Sequence, residues 1–137
     1  MSRQIVFDTE TTGISTADGH RILEIGCVEV IDRKTTGNNF HRYINPQREV
    51  DAGALKVHGL RNEDLENEPT FDQVVDEFME YMSGAELIIH NAAFDVGFVN
   101  HELSLLSNNP YGKLEDHCSI IDTLAIARKT YPGARVS

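Results

Sequence analysis

Apolar and polar positions change period several times along the chain, and each change marks an element. The run Arg3-Gln4-Ile5-Val6-Phe7 turns abruptly polar at Asp8-Thr9-Glu10, the pattern of a short buried strand that projects carboxylates from its end. After a polar loop around Ser15 to Gly19, Ile22, Glu24, Gly26, Val28 and Val30 alternate with Leu23, Ile25, Cys27, Glu29 and Ile31. Apolar residues on both faces predict a central strand. A turn over residues 34–39 then leads to Phe40, Arg42 and Ile44 on one side and His41, Tyr43 and Asn45 on the other, so a hairpin is the economical connection.

Residues 46–61 read as loop with one short helix. From Thr70 to Ser83 the period becomes helical, with Phe71, Val74, Val75, Phe78, Met79 and Met82 on one face, Thr70 as N-cap and Gly84 as stop. ELIIHN, ending at Asn91, is a short buried strand. A helix from about Ala93 to Leu106 follows, its apolar face including Phe94, Phe98 and Leu105, until residues 108–112 break it. CSIID, ending at Asp122, is another strand, and Thr123 opens a last helix that Pro132 and Gly133 terminate. The order β-β-β-α-β-α-β-α predicts an α/β fold, a five-stranded mixed sheet flanked by helices with at least one antiparallel pair. No repeat, low-complexity tract or linker interrupts the 137 residues, which read as one domain.

Charge narrows the function. Twelve basic and 22 acidic residues give a formal charge of −10, which excludes a broad basic surface for nucleic acid. If nucleic acid is the substrate, metal ions or a partner protein must supply the attraction. Cys27 and Cys118 each sit in an apolar run, as buried reduced thiols do. No apolar run approaches the roughly 20 residues needed to span a bilayer, so the expectation is a soluble, cytoplasmic protein with no membrane partner.

Asp8 and Glu10 are two apart, so on a continuing strand their side chains share one face and can converge on one cation. Phosphodiester hydrolysis uses that arrangement, because carboxylate oxygens suit hard Mg²⁺ or Mn²⁺ and two ions stabilise the attacking and leaving oxygens. A lone D-x-E is weak evidence, being more often an acidic, solvated strand end. Asp95 alters the balance, because it follows a different buried strand in HNAAFD and repeats the same strand-end logic.

FDTETTG at residues 7–13, VHGL at 57–60, HNAAFDVGF at 90–98 and IDTLAIAR at 121–128 together resemble the DEDD (DEDDh) 3′→5′ exonuclease superfamily, most of all its bacterial replicative proofreading branch. The similarity runs over nearly the whole chain. It implies a ribonuclease H-like fold with Asp8, Glu10 and Asp95 as catalytic metal ligands for two Mg²⁺ or Mn²⁺ ions. It also implies Thr11 and Gly13 beside the terminal nucleotide, and His58 and Phe94 around its base or sugar. From the residues alone, Phe94 stays open between core packing and base stacking. Relatives often carry an acidic residue where this chain has Gly53, so that side-chain contact is missing.

The implied activity is removal of nucleoside 5′-monophosphates from a single-stranded 3′ end of DNA. The implied partners are a polymerase catalytic subunit and other replicase subunits. An RNA-directed relative and a non-catalytic polymerase-docking module are the alternatives. The superfamily also needs a His followed five positions later by an Asp. His117 and Asp122 imitate that spacing, but residues five apart on a strand face opposite ways, so Asp122 is assigned a supporting or helix-capping role. The remaining motif is expected beyond Ser137, with the C-terminal helical part of the fold missing, one sheet face left partly uncovered, and little activity in residues 1–137 alone. His90 is expected to be a hydrogen-bonded structural residue at a buried strand end, and His20, His41 and His101 are assigned no role.

Overall fold

The computed structural model describes residues 2–130 and 133. Six strands form one mixed sheet: β1 (Arg3–Thr11), β2 (Ile22–Ile31), β3 (Lys34–Thr35), β4 (Phe40–Tyr43), β5 (Glu86–Ile89) and β6 (Ser119–Asp122). The helices are α1 (Ala52–His58), α2 (Asn62–Leu65), α3 (Phe71–Met82), α4 (Ala92–Ser104) and α5 (Thr123–Thr130). The path across the sheet is β3-β2-β1-β5-β6, with β4 pairing β2. β1 runs antiparallel to β2 and parallel to β5, and β5 runs parallel to β6. This is the expected α/β class, with one strand more than the five expected.

The additional strand is the two-residue β3. Ile31 pairs with Lys34, leaving Asp32 and Arg33 as a two-residue loop with φ of 53° and 66°. Positive φ at both positions gives the turn twist that matches flanking strands. The reversal therefore comes at Asp32-Arg33, ahead of the turn expected over residues 34–39, and it lacks the glycine that usually advertises such a turn.

One face of the sheet carries the core. Ile5 and Phe7 of β1, Leu87 and Ile89 of β5, and the apolar faces of α3 and α4 form one buried cluster. Phe78 lies at its centre, with ring centroids 5.8 Å from Phe7, 6.0 Å from Phe40 and 6.4 Å from Phe71. All six apolar positions expected on α3 are buried. The Thr70 N–H that opens this helix donates to Gln73 Oε1 at 3.0 Å, and Gly84 ends it at φ 79°.

Two local expectations, at Leu105 and Cys118, need correction, and one segment left unread forms a helix. Leu105 lies beyond the end of α4 and is 53% exposed, so it is no part of that helix's buried face. The segment after Arg61 forms the short helix α2. Cys118 precedes β6. Gly133 sits in a turn, while the expected stop at Pro132 lies outside the described residues.

Candidate active site

The chemistry gathers where β1 ends. Ile5, Phe7, Thr9 and Thr11 point into the core side, while Val6, Asp8 and Glu10 face the other way, so Asp8 and Glu10 share the face their spacing predicts. Across β2, Asp8 pairs with Gly26 and Glu10 with Glu24; the register then slips between Glu10 and Thr11. Such a bulge bends the strand and takes the chain out of the sheet toward the loop that follows.

Asp95 arrives from the core side, in the first turn of α4. It is only 3% exposed, and its Oδ1 accepts the Thr9 N–H at 3.1 Å and the Thr9 hydroxyl at 2.5 Å. Burial pushes its carboxyl up to about 6, against the pull of the Thr9 hydroxyl and with a further push from Asp8. Glu10 is also raised, first by burial and then by Asp8 and Glu24, with His58 acting in the opposite direction. Asp8 thus influences both other carboxylates. Among the described residues, however, no three His, Cys, Asp or Glu side chains form a ready-made metal shell. The donor set still fits a hard divalent cation, because carboxylate oxygens suit such an ion and its charge would offset the repulsion that Asp8 adds to the effect of burial at Glu10 and Asp95.

Beside the carboxylates lies a cleft of about 180 Å³. Thr9 to Thr11, Gly13 and Ile14 supply one wall, Gly53, Ala54, Val57 and His58 of α1 supply another, and Phe94 closes it. Thr11, Gly13, His58 and Phe94, the residues implied to lie around the nucleotide, all line this cleft; of the residues implied to bind both metal and substrate, Glu10 lines it and Asp8 does not. Phe94 lines the cleft while its ring packs 4.9 Å from that of Phe98, a placement compatible with both of the roles left open. His58 is committed at both ring nitrogens: Nδ1 accepts the Leu60 N–H at 3.0 Å and Nε2 lies 3.0 Å from the Thr11 carbonyl. Nε2 therefore carries a ring proton, and the side chain holds α1 against β1. A larger pocket of about 460 Å³ lies between α3 and the end of α4. It contains none of the predicted site residues, so chemistry identifies the site and size does not.

The imitation motif resolves differently from its expected geometry. His117 ends a 3-10 turn (Leu114–Asp116), its Nε2 lies 2.6 Å from the Tyr111 carbonyl, and its own carbonyl accepts the Gly84 N–H. It precedes β6, at the opposite end of the sheet from Asp8, so distance along the strand removes it from the site. Asp122 caps α5: its Oδ1 accepts the N–H groups of Leu124, Ala125 and Asn91 at 3.0, 3.4 and 3.1 Å. Burial pushes this carboxyl up, but these amides outweigh it and hold it below the ordinary range. His90 is hydrogen-bonded, to Thr123 at 3.0 Å, but it is exposed, not buried. His20, given no role from sequence, is buried against Thr12 and Gly13. Only its position after a glycine in a polar loop could have signalled it.

Fold and strand-end carboxylates together define a nuclease class, and the comparison with known families agrees: the exonuclease family model RNase_T matches residues 5–136, and the chain belongs to that family. It is 53% identical over its whole length to DNA polymerase III subunit epsilon of Escherichia coli K12, and 47% identical over 97% of its length to the same subunit of Rickettsia conorii. The chain spans 58% and 57% of those two relatives. Among solved structures, exonuclease X in complex with 5′ overhanging duplex DNA superposes with a TM-score of 0.68 at 28% identity, covering all of this chain and 68% of that one. E. coli exonuclease I in complex with a dT13 oligonucleotide gives 0.81 at 17% identity, covering all of this chain and 32% of that one, which bears on the fold alone.

Proposed function

We propose that this chain carries the substrate pocket and three metal-ligating carboxylates of a 3′→5′ exonuclease that removes nucleoside 5′-monophosphates from DNA during replication. The observation behind this is the cleft that joins Glu10, Thr11, Gly13, His58 and Phe94 at the end of β1, next to Asp8. Its walls offer an aromatic and aliphatic surface for a base, and the adjoining carboxylates lie where a scissile phosphate would sit. Asp8, Glu10 and Asp95 would hold two Mg²⁺ or Mn²⁺ ions, which supply charge neutralisation and activation of water. Asp95 would be steered by Thr9, and Glu10 would face both the ions and the sugar side of the cleft.

With a net charge of −10, the protein gains little from direct attraction to DNA. Tethering to a polymerase subunit would raise the effective concentration of the 3′ end instead. The relatives' identity as polymerase subunits supports such a partner, and a cytoplasmic location with it. Among the described residues, no helix is long and apolar enough to cross a membrane. Residues 1–137 by themselves should turn substrate over slowly. His58 has no free nitrogen, and His20 does not line the cleft. A further His and Asp element, as the superfamily resemblance implies, would supply the base.

Two measurements test this. Asp8→Ala should weaken Mn²⁺ binding about tenfold or more, equivalent to about 1.4 kcal/mol; equal affinities in calorimetry would remove Asp8 from the site. Release of monophosphate from a 3′-labelled single-stranded oligonucleotide should be about 10²-fold or more slower for residues 1–137 than for a version extended by about 50 residues, the scale of a lost general base. Comparable rates would mean that a base lies within residues 1–137, and the exposed His90 would then be tested first.

A further inference from the structure

Gly13 is a glycine for a reason that its backbone does not supply. It lies outside the left-handed φ range, yet a Cβ there would stand 2.3 Å from Cε1 and Nε2 of His20 and 2.4 Å from Cδ2. The ring has little freedom to step aside. It is buried, and its Nδ1 lies 2.8 Å from Thr12 Oγ1, a hydroxyl that already accepts the Arg21 N–H at 3.0 Å. Thr12 is fully buried, so its own proton goes to Nδ1 and fixes the orientation of the His20 ring.

Thr12 and Gly13 connect to both walls of the cleft. The Thr12 carbonyl accepts the Asp51 N–H at 2.8 Å, at the entry to α1. The Gly13 carbonyl accepts the Thr11 hydroxyl at 2.6 Å. Arg21, whose backbone brackets Thr12, is gripped by the buried Glu102 of α4 at 2.7–3.0 Å. His20 does not line the cleft; it fills the space behind it.

We infer that His20 is a positioning residue for the nucleotide pocket, setting the Gly13 wall directly and α1 through Thr12. The inference rests on the exonuclease reading above and adds a residue to it. The carboxylates lie outside this network, so nucleotide binding and metal binding should respond separately to its loss.

Calorimetry on the unsubstituted chain, His20→Ala and His20→Asn tests the split, using Mn²⁺ alone and then a nucleoside 5′-monophosphate in saturating Mn²⁺. His20→Ala should weaken the nucleotide about tenfold and leave Mn²⁺ within about twofold, a difference within the range of couplings between contacting residues. His20→Asn keeps an acceptor for Thr12 and should lose less. Gly13→Ala should weaken the nucleotide in the parent but add little in the His20→Ala background, where the ring is gone. Unchanged nucleotide affinity in His20→Ala, a parallel fall in Mn²⁺ affinity, or a Gly13→Ala loss independent of His20 would each overturn the inference. If His20→Ala does not fold, His20→Asn decides: it removes the two ring atoms nearest Gly13, and parental nucleotide affinity together with an undiminished Gly13→Ala loss overturns it. If the parent binds Mn²⁺ but no nucleotide, the functional reading fails and the positioning role fails with it. Non-additive thermal midpoints for Gly13→Ala and His20→Ala would still report the packing, which distinguishes that outcome from an error about His20.

Discussion

The two faces of β1 differ in almost every respect, although they alternate residue by residue along one strand. Ile5 and Phe7 are buried under α3 and α4, and Thr9 binds Asp95. On the other face, Val6 is 45% exposed and its cross-strand partner Val28 is 37% exposed, while Glu10 stands opposite another glutamate, Glu24. Like charges directly opposite are destabilising, and that glutamate is one of the causes that raise Glu10. Stability is thus concentrated on one face, and the carboxylates Asp8 and Glu10 are held on the other at some cost. Asp95 crosses the division. It is anchored in the core side and titrates under the influence of the exposed side.

The comparison breaks most visibly at Phe78. Truncating this hub of three aromatic contacts should cost about 3–5 kcal/mol in urea unfolding; a loss below about 1 kcal/mol would show that the core lies elsewhere. Asp95→Asn should act in the opposite direction. The carboxyl rises from an ordinary 3.8 to about 6 on folding, so its protonated form stabilises the fold fully below pH 3.8, and that contribution is lost as pH rises through about 6. The asparagine keeps an acceptor for Thr9 without the buried charge. It should therefore gain up to about 3 kcal/mol over the parent at pH 7.5, and the gap should shrink towards pH 4. A gap independent of pH would place the origin outside this titration. Added Mn²⁺ should stabilise the parent more than the variant.

Much of this architecture is legible before any coordinates. The apolar period of α3, the shared face of Asp8 and Glu10, and the short buried strands that precede Asp95 and end at Asp122 follow from spacing alone, because burial imposes periods of 3.6 and 2 on sequence; the parallel direction of those strands does not. What spacing does not carry is contact. The Asp32-Arg33 turn has positive φ without glycine, and the position of His117 depends on which end of β6 it precedes. His20 gains its role from a ring that meets a glycine seven residues away in sequence. The carboxylates show the same limit: the sequence places them at one end of the sheet, but Thr9 turns Asp95 inward and no three-residue metal shell stands preassembled among the described residues.

The smallest expected effect sharpens the contrast between faces most cleanly. Val6→Thr and Val28→Thr keep the β-branched shape that suits a strand and change only how each side chain meets water. On a buried face, a hydroxyl without a partner would cost on the order of 1–3 kcal/mol. On the outer face both positions already meet solvent, so each substitution should shift stability by less than about 0.5 kcal/mol, read as the urea midpoint at low protein concentration. A Val28→Thr loss above about 1 kcal/mol would mean that this face is covered in solution. Repeating the measurement across protein concentrations would then separate the sources: a loss that grows with concentration would come from self-association through the Val6 and Val28 stripe, and a constant one from packing within the chain. A null result at both positions would leave α3 and α4 as the elements that hold the sheet, with the outer face contributing chemistry and little else.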